Sequence, residues 1–355
     1  MTRRFLVVLC GLLAVAAPSA AQQIPWKDPS PHVVKLVEVD ADVRLEVLDW
    51  GGPGRALLLL AGGGDSAHVF DDLAPALAKR HRVVGVTRRG HPGSSAPAAG
   101  YGVVRLAEDI LRVMDAVGLK TAVVVGHSFA GEEMHVLGAR YPTRIAGLVY
   151  VDAAFDRGDD ADDEAYNAVA RTLPSAPSPS KDDLASFAAL RAYFEKYGGA
   201  GPEAHLRARW VANPDGTIGG MYRPERAVLQ AMVNEMRAAF KKPYKPERIR
   251  VPAIALYAVP KSADDLIRRG SSDRLPLPES LIAREAEKHP DLRERFEKLY
   301  QLTRERVRHH ERWFEAFAER GRVVELSGTH HLVISNPREV LDHIQTFVSS
   351  LAGGR

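Results

Sequence analysis

One segment constrains this chain more than any other: an apolar run that ends in a serine and is followed at once by a helical pattern. It reads Ala-Val-Val-Val-Gly-His-Ser-Phe-Ala-Gly over residues 122–131. This order is typical of a buried strand, a sharp turn and a helix, with Ser128 at the apex. Backbone strain at the apex requires small neighbours two positions away, and Gly126 and Ala130 meet that requirement. The pattern predicts a hydroxyl that projects from the sheet edge near the positive end of the following helix.

Two interpretations of this turn are open. Ser128 is either a nucleophile or only the cap of a helix that follows a buried strand. The usual nucleophile turn has glycine two residues after the serine, whereas this chain has Ala130 there and Gly131 one step later. A serine hydroxyl is a poor nucleophile without a base within hydrogen-bond reach and a third group that holds the base. The rest of the chain therefore has to supply both groups.

A candidate base follows the last predicted strand, in the sequence Gly328-Thr-His-His331. We expect His330 to be the base, and His331 is the adjacent alternative. A capping or packing role for both histidines is the structural alternative. Two glutamates that follow the serine, Glu132 and Glu133, suit the dipole of the first helical turn. In a second interpretation Glu132 faces the site.

The N-terminus predicts a secretory signal peptide over residues 1–21. Two arginines precede an apolar stretch over 5–17 that is too short to span a bilayer comfortably. Ser19 and Ala21 are the small residues expected beside the cleavage point. We therefore expect a secreted or periplasmic protein without stable membrane insertion after cleavage; an uncleaved anchor is the alternative.

Composition excludes several classes of function. Cys10 is the only cysteine and lies in the predicted signal peptide, so the mature chain has no disulfide, thiol nucleophile or thiolate metal site. Loss of that segment leaves 46 Lys and Arg against 45 Asp and Glu, which predicts no nucleic-acid partner. No ligand spacing accompanies His309 and His310, so we expect no metal and no other cofactor, and place these two at a helix surface and core edge.

Strand and helix patterns alternate through the first half of the chain, which predicts a parallel sheet with right-handed crossovers. An antiparallel hairpin over 33–48 begins it. Residues 156–248 contain no buried strand and predict a helical insertion over the carboxyl edge of the sheet, so that the core comprises 22–155 and 249–355. Residues 279–319 predict an amphipathic helix whose charged side faces solvent.

Five short motifs together resemble the α/β-hydrolase fold superfamily, of the serine-hydrolase type with a helical cap. They are the glycines at 62–64, Arg89-Gly-His91, the serine turn at 126–131, Gly328-Thr-His330 and Asn336-Pro337. The resemblance covers nearly all of residues 33–351. It implies an α/β fold: a mostly parallel eight-stranded sheet with helices on both faces and a helical cap insertion. Members often carry a proline about seven residues after the catalytic histidine, and Pro337 therefore favours His330 over His331.

The resemblance also implies an oxyanion hole made of two backbone N–H groups. One belongs to the residue after the nucleophile, here Phe129. The other comes from the glycine loop, where Gly63 is the expected donor. The usual His-Gly-x-Gly of that loop begins here with Ala61, which weakens the expected hydrogen bonding of the loop. A plain tight turn is the alternative role for these glycines.

The resemblance leaves the third group of the triad open. Relatives commonly carry the acid after the seventh strand, where this chain has Lys261, with Asp264 and Asp265 a few residues further on. Others carry it at the end of the sixth strand, and Asp152 stands there, 24 residues after Ser128. We expect Asp152, with Asp264 and Asp265 as alternatives.

As a whole the resemblance implies a serine hydrolase that acts on a small-molecule acyl substrate, an ester by default, through an acyl-enzyme. Carbon–carbon bond hydrolysis, acyl transfer and cofactor-free haloperoxidation use the same triad and stay open. A ligand-binding relative with little turnover is the alternative from another class. Halide displacement is disfavoured because it needs an aspartate at position 128.

Overall fold

The computed structural model describes residues 26–157, 161–197, 199–239, 247–269 and 279–351. The predicted signal peptide at 1–21 lies outside these ranges. None of the helices in the described ranges is long and apolar enough to cross a bilayer.

Within the described ranges, eight strands form one sheet and two form a separate hairpin. The strands of the sheet are β1 Val33–Asp40, β2 Val43–Gly51, β3 Ala56–Leu60, β4 Arg82–Val86, β5 Ala122–His127, β6 Ile145–Val151, β9 Ala253–Ala258 and β10 Gly321–Leu326. The hairpin strands are β7 Trp210–Ala212 and β8 Ile218–Met221. The sheet order is β1-β2-β4-β3-β5-β6-β9-β10. β2 is antiparallel to both of its neighbours and the other pairs are parallel, which confirms the predicted mostly parallel sheet.

Helices connect the strands. They are α1 Ala74–Ala78, α2 Val103–Ala116, α3 Ala130–Arg140, α4 Ala161–Ala170, α5 Phe187–Lys196, α6 Glu203–Arg209, α7 Arg226–Ala239, α8 Ala263–Arg269, α9 Glu279–Lys288, α10 Leu292–Phe317, α11 Leu332–Ser335 and α12 Pro337–Ser350, with a 3₁₀ turn at Ala67–Phe70. Parallel strands need such crossovers, and the crossovers cover both faces of the sheet.

Each face of the sheet has its own apolar core, and β3 shows how one strand contributes to both. Leu58 and Leu60 join the core that contains side chains of α2, α3 and α10. Leu57 and Leu59 join the core that contains side chains of α1 and α12. Successive side chains of a strand point to opposite faces, so a strand covered on both sides has to be apolar at every position.

The chain departs from the predicted pattern at two places. The segment between β6 and β9 carries helices α4 to α7 but also the β7–β8 hairpin, so it is not purely helical. Its Asn-Pro-Asp-Gly turn at 213–216 was a sequence signal for that hairpin, although strands of three and four residues are too short to show a period. The helix predicted over 279–319 is divided into α9 and α10, with Pro290 between them.

Close packing of α3 on the sheet depends on Gly131. A Cβ at this position would lie 1.9 Å from the carbonyl oxygen of Ala153, whereas a Cβ at Gly102 would have no atom nearer than 3.8 Å. We expect Gly131→Ala to lower the free energy of unfolding by more than about 2 kcal/mol and the matched Gly102→Ala by less than about 1 kcal/mol. Urea unfolding of the two variants and the parent measures the difference. Equal stability of the two variants would contradict this packing.

Candidate active site

Ser128 lies at a sharp turn between β5 and α3. Its φ of 53° places it in the left-handed region, which is strained for a residue with a side chain. A Cβ at Gly126 would lie 2.3 Å from Sδ of Met134 and 2.9 Å from Cβ of Ala130. The strand, the serine and the helix therefore fit together only because small residues flank the apex.

The structure brings Ser128, His330 and Asp152 together from three loops at the carboxyl ends of β5, β10 and β6. His330 Nε2 lies 2.8 Å from Ser128 Oγ, and His330 Nδ1 lies 2.6 Å from Asp152 Oδ2. A carboxylate only accepts, so Nδ1 carries the proton of the neutral ring and Nε2 is left to accept the serine hydroxyl. This is the hydrogen-bond order that general-base activation of a serine requires.

Asp152 is fixed from both ends. Its Oδ1 accepts the N–H of Ala258 at 3.0 Å, and its own N–H donates to the carbonyl oxygen of Leu256 at 2.7 Å. Its φ of 46° is a second left-handed conformation at a residue with a side chain. The buried carboxylate is thus aimed at His330 by β9, the strand beside its own.

The two alternative acids make other contacts. Asp264 is exposed and forms an ion pair with Arg293, with 2.9 Å between Oδ1 and Nη1. Asp265 is buried; its Oδ2 accepts Ser327 Oγ–H at 2.7 Å and the N–H of Lys261 at 2.9 Å. Both carboxylates are therefore held by contacts around α8. The carboxylate of Asp152 is the hydrogen-bond partner of His330 Nδ1.

The two expected oxyanion donors lie near each other. A Cβ at Gly63 would lie 3.6 Å from Cβ of Phe129. Within the glycine loop, the N–H of Gly64 donates to His91 Nε2 at 3.0 Å and the N–H of Asp65 donates to the carbonyl oxygen of Gly62 at 3.3 Å. The N–H of Gly63 has no acceptor among the described residues. It is the loop donor left to bind a ligand.

An arginine that the sequence analysis did not single out braces the glycine loop. Arg88 Nη2 donates to the carbonyl oxygen of Ala61 at 3.0 Å, and Nη1 donates to that of Gly62 at 3.2 Å. The guanidinium also forms a buried ion pair with Glu133 on α3 and lies 5.1 Å from the ring centroid of Phe129. Glu133 thus does more than complement the helix dipole. The pair supplies hydrogen bonds to a loop that begins with alanine.

His91 completes this support as a neutral ring. Its Nδ1–H donates to the carbonyl oxygen of Arg89 at 3.1 Å, while Nε2 accepts the N–H of Gly64. Burial, and then the charge of Arg88, lower the pKa of His91 to about 4. Protonation would remove the lone pair that holds Gly64, so the loop depends on the neutral form.

Asp65 joins the glycine loop to the insertion and to the base loop. Its Oδ1 lies 3.3 Å from Arg209 Nη1 and 3.7 Å from His205 Nε2, both on α6, and its Oδ2 lies 3.7 Å from His331 Nε2. Burial raises the pKa of Asp65, but the interaction with His331 and the charges of His205 and Arg209 outweigh it and hold that pKa well below its usual range. His331, the alternative base, therefore contacts this buried carboxylate.

A cavity of about 210 Å³ opens at Ser128. It is lined by Ser128, Asp152, Phe155, Arg157, Ala258, Pro260, Thr303, Arg306, Val307, His310, Gly328 and His330. One wall belongs to α10, which lies outside the predicted insertion. The expectation that the charged side of this helix only faces solvent is wrong at Arg306. Glu132 is buried beside the cavity and accepts Arg157 Nε–H at 3.2 Å.

His310 is a site residue that the sequence analysis placed at a core edge. It is buried in the cavity wall, and its Nδ1 accepts the N–H of Asp156 at 3.2 Å. Burial lowers the pKa of His310 to about 3, so the ring is neutral and carries its proton on Nε2. Nε2 has no hydrogen-bond partner in the part of the chain that is described. A spacing rule could not reveal this donor, because its neighbours come from distant segments.

Comparisons with known proteins agree with this architecture. A family model described as alpha/beta hydrolase fold matches residues 55–213. A fluoroacetate dehalogenase of a Burkholderia species is 34% identical over 123 residues, which are 33% of this chain and 40% of that protein. Alignments with curated relatives of this kind span less than half of those proteins.

Solved structures extend the likeness over nearly the whole chain. An E-2-(acetamidomethylene)succinate hydrolase aligns with a TM-score of 0.57 at 18% identity, over 90% of this chain and 100% of the other. A thioesterase domain from the curacin biosynthetic pathway aligns with a TM-score of 0.56 at 16% identity, over 90% and 99%. Sheet order, serine turn and these matches define an α/β-hydrolase fold.

The buried histidines make stability depend on pH. An unfolded histidine takes up a proton near its ordinary pKa of 6.5, whereas burial, offset in part by Asp65 and reinforced by Arg209, lowers the pKa of His205 to about 4. The unfolded state therefore binds more protons as the pH falls. We expect His205 to reduce the free energy of unfolding by about 2 kcal/mol between about pH 7.5 and about pH 5.

Urea unfolding at both pH values tests this expectation. His205→Gln should lose stability on acidification by about 2 kcal/mol less than the parent chain. The exposed His289→Gln is the matched control and should keep the pH dependence of the parent. Identical pH dependence of the parent and His205→Gln would show that His205 is not held neutral by the fold.

Proposed function

We propose that this protein is a serine hydrolase that cleaves esters of small acyl substrates through an acyl-enzyme. Ser128 Oγ attacks the acyl carbonyl as His330 Nε2 takes its proton, and the N–H groups of Gly63 and Phe129 bind the oxyanion. The carbon–oxygen bond of the ester then breaks, and His330 gives the proton to the departing alcohol. Asp152 orients the imidazole and stabilises its charged form. Water, activated by the same histidine, releases the acid.

One observation carries this proposal: an unbroken hydrogen-bonded row from Asp152 through His330 to Ser128 that ends at the floor of a cavity. Structural ion-pair networks also contain Asp–His contacts, but they do not need a strained serine at a cavity floor. The names of similar proteins, among them a hydrolase and a thioesterase domain, support hydrolytic chemistry.

The alternative reactions differ in the bond that is cleaved or in the molecule that accepts the acyl group. Carbon–carbon bond hydrolysis, acyl transfer and cofactor-free haloperoxidation use the same three side chains. An ester is favoured because an alkoxide is a modest leaving group, which the one proton held by His330 is enough to release. Displacement of halide on a carboxylate nucleophile does not fit, because position 128 is serine. A relative that binds ligand with little turnover would keep the row of hydrogen bonds but acylate slowly.

Covalent labelling and one pair of acid variants test the triad. We expect a fluorophosphonate probe to label the parent chain, and Ser128→Ala to abolish the label. Asp152→Asn should lower kcat/KM for a 4-nitrophenyl ester by about 10²–10⁴-fold, because an amide disfavours the required histidine tautomer. The exposed Asp264→Asn is the matched control and should stay within about twofold of the parent.

Three results would contradict this assignment. They are labelling that survives in Ser128→Ala, near-full turnover in a folded Asp152→Asn, and a loss in Asp264→Asn as large as that in Asp152→Asn. Circular dichroism spectra of each variant separate loss of activity from loss of fold. The same measurement on Asp265→Asn tests the second alternative acid.

The cavity favours a short acyl chain that carries a negative charge. Its volume of about 210 Å³ is small beside the 300–1,000 Å³ of typical ligand pockets. A long fatty chain would need most of the volume of such a pocket. Arg157 and Arg306 are the two cationic residues among those that line the cavity. Glu132 lies against Arg157, and the Tyr166 ring lies 5.2 Å from the Arg306 guanidinium carbon. A carboxylate on the acyl group would be held by a charge-assisted contact.

Three 4-nitrophenyl esters test this selectivity. We expect kcat/KM to be highest for the hemisuccinate, lower for the butyrate of equal chain length, and lowest for the palmitate. Arg306→Gln should lower kcat/KM for the hemisuccinate by at least about tenfold and change it little for the butyrate. Arg308→Gln, an exposed change on the same helix, should leave both values unchanged. Preference for the palmitate, or an equal loss on both short esters, would contradict the proposed charge selectivity.

A further inference from the structure

Four side chains with metal-binding atoms converge at a place that the proposed reaction does not use. Asp28 and His32 precede β1, while His68 belongs to the 3₁₀ turn after the glycine loop and Asp71 follows that turn. One ligand atom from each lies within 4.8 Å of the others. None of the four lines the cavity at Ser128.

The separations match the edges of a small coordination sphere. Nδ1 of His68 lies 2.7 Å from Asp71 Oδ2 and 3.3 Å from Asp28 Oδ2. Nδ1 of His32 lies 3.0 Å from Asp71 Oδ1. In a tetrahedral zinc site with bonds of about 2.0–2.1 Å, neighbouring ligand atoms are about 3.3 Å apart. The three quoted separations lie near that edge length, and the remaining donor pairs, which are at most 4.8 Å apart, would have to close up around one ion.

Burial and hydrogen bonding single out the atoms that would bind it. The side chains of His32 and Asp71 are only 3% and 4% exposed. His32 Nδ1, Asp71 Oδ1 and Asp28 Oδ2 are buried, and none of the three makes a hydrogen bond of good geometry in the described part of the chain, although His32 Nδ1 lies 3.0 Å from Asp71 Oδ1. Asp28 Oδ1 accepts the N–H of Ser30 at 2.9 Å, which turns Oδ2 toward the histidines. Buried polar atoms that lack well-formed hydrogen bonds are rare and call for an explanation.

The local charge also favours a cation. Carboxylate oxygens of Asp71 and Asp28 lie 2.7 and 3.3 Å from His68 Nδ1, and Glu46 Oε1 lies 3.9 Å from His68 Nε2. Three carboxylates thus surround the imidazole. A divalent ion bound among them would compensate their charge.

We propose that Asp28, His32, His68 and Asp71 bind a divalent transition-metal ion of the zinc type. Two imidazoles and two carboxylates suit zinc, which accepts nitrogen and oxygen ligands in tetrahedral geometry. The edge of the Trp50 indole packs against His32, with ring centroids 5.4 Å apart, and would shield one side of the ion. All four protein ligands would be filled, so the site is structural rather than catalytic.

Such an ion would tie the N-terminal segment to the loop that holds the candidate oxyanion donor. His68 stands five residues after Gly63. Between them the N–H of Ala67 donates to Thr87 Oγ1 at 2.9 Å, and Thr87 Oγ1–H donates to Glu46 Oε2 at 2.7 Å. The metal would therefore stiffen the segment that follows the glycine loop.

Binding and spectroscopy on the chelator-treated full chain test this site. We expect Zn²⁺ to bind with one equivalent per chain and to raise Tm by at least about 2 °C at saturation. Co²⁺ in its place should give the intense visible absorption of a tetrahedral ion, a readout that needs no variant. The double variant His68→Gln with Asp71→Asn should weaken Zn²⁺ binding by at least about tenfold.

His289→Gln is the matched control and should bind Zn²⁺ as the parent does, because that histidine is exposed and far along the chain. The Tm of each variant in chelator shows whether it folds. The proposal is overturned by a parent chain that binds Zn²⁺ no tighter than about 1 mM. It is equally overturned by an octahedral Co²⁺ spectrum, or by unchanged binding in a folded double variant.

Discussion

The structure of the site depends on one strained turn. Ser128 keeps a left-handed backbone because β5 and α3 are locked on either side of it. Gly131 allows α3 to lie against the carbonyl oxygen of Ala153, and Gly126 leaves room for Met134. The apolar packing of the sheet supplies the energy that holds this conformation, and a strained residue persists only where its surroundings over-determine it. The position of Ser128 therefore sets where the other groups of the site have to lie.

Buried charges position the loops around the turn. Arg88 with Glu133 braces the glycine loop, and Asp65 with Arg209 joins that loop to the insertion. A buried ion pair adds little net stability, because desolvation offsets most of the attraction, whereas loss of one partner costs about 3–5 kcal/mol. Their contribution is therefore geometric. Displacement of the loop would separate these ion pairs at a large cost in free energy. This keeps the backbone donor of Gly63 beside the nucleophile.

The sequence predicted what depends on local pattern. Buried strands, the serine turn and the mostly parallel sheet follow from period, glycine placement and alternation. Asp152, Gly63 and Phe129 came from family resemblance rather than from period, and their roles stay predictions. Arg88 and His310 were missed, because each acts through contacts with distant segments that no spacing encodes. The wall formed by α10 was missed for the same reason: a helix with many charges shows no signal at the one face turned toward a cavity.

Trapping of the acyl-enzyme tests the central claim most directly. The parent chain is mixed with 4-nitrophenyl acetate, quenched in acid within the first turnover, digested and examined by mass spectrometry. We predict a burst of 4-nitrophenol equal to the enzyme concentration and an acetyl group on the peptide that contains Ser128. Steady turnover without acetylation of Ser128, or an acetyl group on another side chain that turns over at the catalytic rate, would contradict the account.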